Sequence, residues 1–327
     1  MNNDRIQEIL DLMEEARLDY FLISDPQSIA YCTGYYNDPH ERMFVFMISK
    51  HGNHTLFMND LFYLDHDLDV NIVWHKDGQD AIQTIVDEMH FPGRIGIDKN
   101  WASHFLLDLM KKLPDAKYIN ASPCVDLVRM KKDLQEQVLM IESSKINDAV
   151  MEEIIPFIQE GVTEKQLAKK LDELFFNHHS TCYGAIVAFG KNAADPHHEN
   201  DDTLLRKGDC VLIDMGCVYK GYCSDMTRTF FYEGILEEEI KVYEIVKKSN
   251  EAAEAMIKPG VKLSDIDKCA RKVISDEGYG KYFTHRLGHF IGRDVHEYGD
   301  VSSVNEMEVE EGMIFSIEPG IYLEGQY

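Results

Sequence analysis

The chain has 327 residues, 44% hydrophobic and 10% aromatic, enough to build two folded cores. Its 58 acidic side chains outnumber 33 basic ones, for a formal charge of −25. That surplus opposes binding to phosphate backbones and anionic lipid, so neither nucleic acid nor a membrane is an expected partner.

In chain order, MNNDRIQEILDLMEEARLDY reads as an acidic amphipathic helix near 4–16, without the basic start and apolar centre of a secretory signal. Strands are expected at Tyr20-Phe21-Leu22-Ile23, at Met43 to Ile48 and, past a turn at His51-Gly52-Asn53, at Thr55-Leu56-Phe57. A helix near 78–90, the strand Arg94-Ile95-Gly96-Ile97, a helix near 102–112 and a short strand around Tyr118 complete an α/β layout. Ala121-Ser122-Pro123 reads as the start of a connector, placing a boundary within 121–132 and domains at 1–125 and 130–327. No run reaches membrane-spanning length. Seven cysteines, scattered and never spaced as CxxC, suit reduced thiols and a cytoplasmic setting.

The second part opens on a long amphipathic helix from Leu134 to about Phe157. A further helix follows Gly161-Val162, with Thr163 as N-cap and Gln166 at the capping-box position. Strand candidates at 184–190, 210–218, 222–231 and 313–322, with helices near 236–257 and 263–276 between them, describe an antiparallel sheet covered by helices, an α+β domain.

Within VLIDMGCVYKGYCSDMTRTF, Asp214 interrupts an apolar run, where an ionised carboxylate is costly unless something positive meets it. A two-residue loop at Tyr219-Lys220 sets Asp225 directly opposite Asp214; a loop at Lys220-Gly221 makes the two diagonal neighbours on the same face. Either way a divalent cation would relieve their repulsion. Two close aspartates in so acidic a chain are also compatible with an ordinary exposed hairpin, so more ligands are needed. HRLGHFIGRDVHE supplies His285, His289 and His296, and MIFSIEPGIY places Glu318 inside another apolar run.

The order Asp, Asp, His, Glu in these contexts resembles the metallopeptidase family that includes proline dipeptidase, aminopeptidase P and methionine aminopeptidase, with its pita-bread fold. VLIDMG, SDMTRTF, GHFIGRDVHE and SIEPGIY are similar to four of its motifs. KNAADPHHEN resembles the segment with its substrate-side histidine, and YFLISDPQSIAYCTGY resembles the creatinase-type N-terminal domain of the proline-specific branch. Creatinase itself shares the fold without the metal ligands, which are present here.

The resemblance implies Asp214, Asp225, His289 and Glu318 as ligands of two divalent ions, Mn²⁺ foremost, with Co²⁺, Zn²⁺ or Fe²⁺ as alternatives. It implies His197, His296 and Glu318 as catalytic groups and His285 with His197 as substrate-binding. The implied reaction is hydrolysis of the Xaa-Pro bond of a dipeptide or peptide N-terminus by a metal-bound hydroxide, with a proline-containing peptide as partner and a homodimer as assembly. Two departures stand out. Phe290 replaces the glycine of the family's GHGIG, which is expected to narrow a substrate subsite. The family's fifth ligand, a glutamate in a VRIED-like strand, falls past Tyr327, and Glu324 in LEGQY is not expected to replace it. The chain is therefore expected to be C-terminally short and impaired, with a non-catalytic pita-bread binding protein or inactive fragment as the alternative.

Overall fold

The computed structural model describes residues 1–90 and 92–326, and its backbone divides into two units, Met1–Arg129 and Met130–Tyr327. In the first unit the order is α1 (Asn3–Glu15), β1 (Tyr20–Ile23), α2 (Pro26–Thr33), β2 (Val45–Ser49), β3 (Thr55–Asn59), β4 (Asn71–His75), α3 (Ala81–Glu88), β5 (Arg94–Ile97), α4 (Ser103–Lys112), β6 (Lys117–Asn120) and α5 (Ser122–Met130). The strands form one six-stranded sheet, β4-β3-β2-β1-β5-β6, antiparallel at β1–β2 and β2–β3 and parallel elsewhere.

The uninterrupted apolar runs of β1 and β2 follow from burial on both sheet faces. Phe21, Ile23, Phe46 and Ile48 join α1, α2 and α5 in one core, while Tyr20, Leu22, Val45 and Met47 join α3 and α4 in the other. Three elements go beyond the expected set. α2 is signalled by Asp25, which caps it before Pro26 and accepts from Ser28 N–H at 2.8 Å, and by Gly34 in the left-handed region at its end. β4 is an edge strand whose apolar Ile72, Val73 and Trp74 are only partly buried or exposed. The residues read as a connector from 121 are α5, whose Cys124, Val125 and Val128 are buried in the first core.

The second unit comprises α6 (Leu134–Ile154), α7 (Glu164–Asn177), β7 (Thr181–Cys182), β8 (Ile186–Phe189), β9 (Cys210–Met215), β10 (Cys217–Tyr219), β11 (Tyr222–Cys223), β12 (Met226–Phe231), α8 (Glu237–Glu254), α9 (Leu263–Asp276), β13 (Gly288–His289) and β14 (Asp300–Val301). Both expected capping-box partners on α7, Thr163 and Gln166, engage. α6 and α7 lay Val150, Ile154, Leu167, Leu171 and Phe175 against Val187, Phe189, Val211 and Ile213 of β8 and β9. The antiparallel sheet is split into β12-β9-β8 and β11-β10-β7 because the long hairpin changes sheets between β9 and β10. The strand expected over 313–322 is instead an extended segment. It joins residues 287–291 by Ser316 N–H to His289 O, Glu318 N–H to Leu287 O and a single bridge between Phe290 and Phe315. Among the described residues no helix is long and apolar enough to cross a membrane, and no cysteine is in a disulfide.

Candidate metal centre

The hairpin turns at Lys220-Gly221, both with positive φ (48° and 83°), as in a type I′ turn, and pairs Tyr219 with Tyr222. Of the two registers open from the sequence, this is the diagonal one: Asp214 lies opposite Thr227, and Asp225 is two residues back along the same strand direction. Gly216 makes the sheet change possible. A Cβ there would lie 1.8 Å from the Tyr183 hydroxyl and 2.1 Å from the Ser224 carbonyl. That hydroxyl donates to Ser224 O at 2.7 Å, one residue before Asp225.

The other two expected ligands come from the second strand-like pair. The backbone bonds between 287–289 and 316–318 set Glu318 beside His289, and Asn250 of α8 donates to Ile317 O at 2.7 Å to hold the segment. His289 Nε2 then lies 3.2 Å from Asp225 Oδ2 and 3.4 Å from Glu318 Oε1. Asp225, His289 and Glu318 each offer a ligand atom within 4.8 Å of the others. His289 Nδ1 is 3.2 Å from Phe290 O, a carbonyl that can only accept, so Nδ1 is turned to the backbone and Nε2 faces the carboxylates, where a bound cation would displace its proton.

Electrostatics match a cation that neutralises the cluster. Burial, then the charge of Asp225, pushes the Asp214 carboxyl up to about 6 despite a hydrogen bond from Thr227. Glu318 is raised by burial and by Asp225 and Asp214, with His289 and a hydrogen bond from Ser316 opposing. For His289, burial favours the neutral ring, yet the Asp225 hydrogen bond and the Glu318 and Asp225 charges outweigh it, so the pKa is raised. Half-buried oxygen donors repelling one another around one buried imidazole fit a hard or borderline divalent ion. Glu324 is exposed and outside this group.

The remaining histidines are distributed around it. The His296 ring stands edge-on to His289, centroids 4.2 Å apart, and its pKa is lowered by burial and then by His289 and Arg286. His285 uses both ring nitrogens internally: Nδ1 is 2.6 Å from Arg286 O and Nε2 is 2.8 Å from the Tyr322 hydroxyl. His197 is exposed on the loop between β8 and β9, within electrostatic reach of His285 and His296. Phe290 corrects the sequence expectation. It is fully buried against Phe315, with its ring against the space a Gly299 side chain would need, so it fills the core and narrows no subsite.

Sequence reasoning missed Ser316, which touches this group, and Tyr183 and Tyr322, which bond the neighbouring Ser224 and His285. Ser316 Oγ donates to Glu318 Oε1 at 3.2 Å and also accepts from His289 N–H at 3.0 Å. Its signal was its place two residues before Glu318, on the same face of an extended segment.

A model of the family Metallopeptidase family M24 matches residues 138–327, and one of the Creatinase/Prolidase N-terminal domain matches residues 5–131. The chain belongs to metallopeptidase family M24. An uncharacterized peptidase of Staphylococcus aureus is 33% identical over 330 residues, covering 98% of this chain and 92% of the relative. Among M24-like solved structures, the dipeptidase from Pyrococcus horikoshii superposes with TM-score 0.91 at 35% identity, covering 98% of this chain and 92% of that one. The Thermococcus sibiricus prolidase gives 0.92 at 31%, covering 100% and 92%. An Xaa-Pro dipeptidase from Bacillus anthracis gives 0.91 at 27%, covering 99% and 91%. The M24 chain is thus a peptidase, with the creatinase-type α/β domain followed by the α+β pita-bread domain that the motifs implied.

Proposed function

We propose that this chain is a metal-dependent exopeptidase that cleaves the Xaa-Pro bond of dipeptides or peptide N-termini. The observation that carries the reading is the convergence of Asp225, His289 and Glu318 on one point, beside a half-buried Asp214 whose carboxyl is pushed up to about 6. Dipeptidase and prolidase neighbours over nearly the whole chain support the substrate class. The residues 130–327 would form the peptidase domain and 1–125 the creatinase-like one.

Asp214, Asp225, His289 and Glu318 would hold the cation, and this oxygen-rich donor set favours Mn²⁺ over Zn²⁺. A divalent ion bound there supplies Lewis acidity, acidifying water and polarising the scissile carbonyl. Glu318, with its raised carboxyl, takes a proton and returns it to the leaving proline nitrogen. His296 has a lowered pKa and so is neutral at pH 7, with an N–H to donate to the carbonyl as charge develops. Proline leaves no N–H for a backbone-reading cleft, so side chains must recognise it. His197 is assigned to that contact. His285, whose nitrogens are taken, contributes its ring face with Phe283 and Tyr322 as a wall.

Purified protein supplied with Mn²⁺ is expected to release free proline from Xaa-Pro dipeptides and to stop when a chelator is added. Failure to cleave any Xaa-Pro peptide under these conditions overturns the assignment.

A further inference from the structure

Away from the proposed metal ligands, Glu164, His198 and Asp201 form a second compact polar group. Glu164 is the first residue of α7 and its side chain is fully buried. All its acceptor positions are used, by four donors. Oε1 accepts from Phe189 N–H at 2.9 Å and from Asn192 Nδ2 at 3.0 Å; Oε2 accepts from Asp201 N–H at 3.0 Å and contacts His198 Nε2 at 2.6 Å. A buried carboxylate satisfied in this way needs no cation. It also does more than cap a helix, because its partners come from the end of β8, the 190–194 turn and both sides of the loop that follows. His197 is the neighbour of His198 on that loop, exposed where His198 is turned in toward Glu164.

We propose that Glu164 is a positioning residue for the substrate face, which acts through His198 to fix the imidazole of His197. The inference rests on the role given to His197 above. Replacing the carboxylate by an amide of the same shape tests it sharply. In Glu164→Gln one oxygen becomes an NH₂ group, which cannot accept from the two donors it would face, so one side of the loop is released. The loop then samples orientations in which His197 no longer meets the substrate, and KM rises more than kcat falls.

The experiment is a double-mutant cycle on Xaa-Pro dipeptide hydrolysis by the metal-loaded protein, using Glu164→Gln, His197→Ala and the pair. Glu164→Gln is expected to lower kcat/KM about tenfold or more in the parent chain and less than about threefold in the His197→Ala background, the non-additivity of residues that act as one unit. His198→Ala probes the same link from the solvent side of the loop, and its effect should likewise vanish without His197. His198→Gln, whose amide can still donate to Glu164, should recover part of the loss. Equal effects of Glu164→Gln or His198→Ala in both backgrounds, or no effect of either, overturn the proposal and leave the role of His197 standing. A His197→Ala enzyme as active as the parent removes both together.

Discussion

Burial and the nearby Asp225 hold the Asp214 carboxyl at about 6, and the sign of this shift has a measurable consequence. Below pH ~4 the group is protonated in folded and unfolded chains alike. Between about pH 4 and 6 the folded chain keeps a proton that the unfolded chain has released, so stability falls as pH rises, by about 3 kcal/mol in all from this one group. Urea unfolding of chelator-treated protein should show that decline, and Asp214→Asn should remove most of it; identical slopes would show that Asp214 is not held protonated. Mn²⁺ affinity, measured calorimetrically, should climb over the same window because the ion competes with the bound protons. Asp225 has a different test. It touches His289 directly, so Asp225→Asn should cut kcat/KM at least about a hundredfold while circular dichroism stays that of the parent. Retained activity would remove Asp225 from the ligand set.

At the scale of elements, the hairpin from β9 to β12 depends on a single close approach. Gly216 has no room for a methyl group between the Tyr183 hydroxyl and the Ser224 carbonyl, and the second of these is backbone. Gly216→Ala must therefore spread the hairpin where it changes sheets, at a cost of about 1–3 kcal/mol, and should weaken metal binding because Asp225 follows Ser224 directly. A stability within error of the parent would mean the strands part there without strain. The α7 cap behaves differently: Thr163→Ala loses the bond to Gln166 N–H and should cost about 1 kcal/mol in denaturant unfolding. Such local signals were legible in advance. Thr163 with Gln166 marked α7, and the apolar runs marked β1, β2 and β9, because propensity and burial act within a few residues. β4 carries only the short apolar run Ile72-Val73-Trp74, incompletely buried at the sheet edge, without the alternation or length that marked the other strands.

For the whole molecule, a bound ion that the unfolded chain lacks adds to stability by mass action. At a free concentration of 100 Kd this amounts to about 2.7 kcal/mol, so chelation should lower the melting temperature and Mn²⁺ restore it; a Tm indifferent to both would argue against the centre. The sequence by itself determined the family and the two-domain plan, and it singled out the candidate ligands, since these reside in short motifs whose residue types carry their own chemistry. Only the tertiary structure decided how they meet. The turn at Lys220-Gly221 chose between two registers of equal parity, Phe290 turned inward onto Phe315, and His285 spent both nitrogens on Arg286 and Tyr322. It also joined Glu164 to His198, 34 residues apart in the chain. The packing of Phe290 on Phe315, His285 on Tyr322 and Glu164 on His198 depends on which distant segment meets each residue, and no local periodicity encodes that.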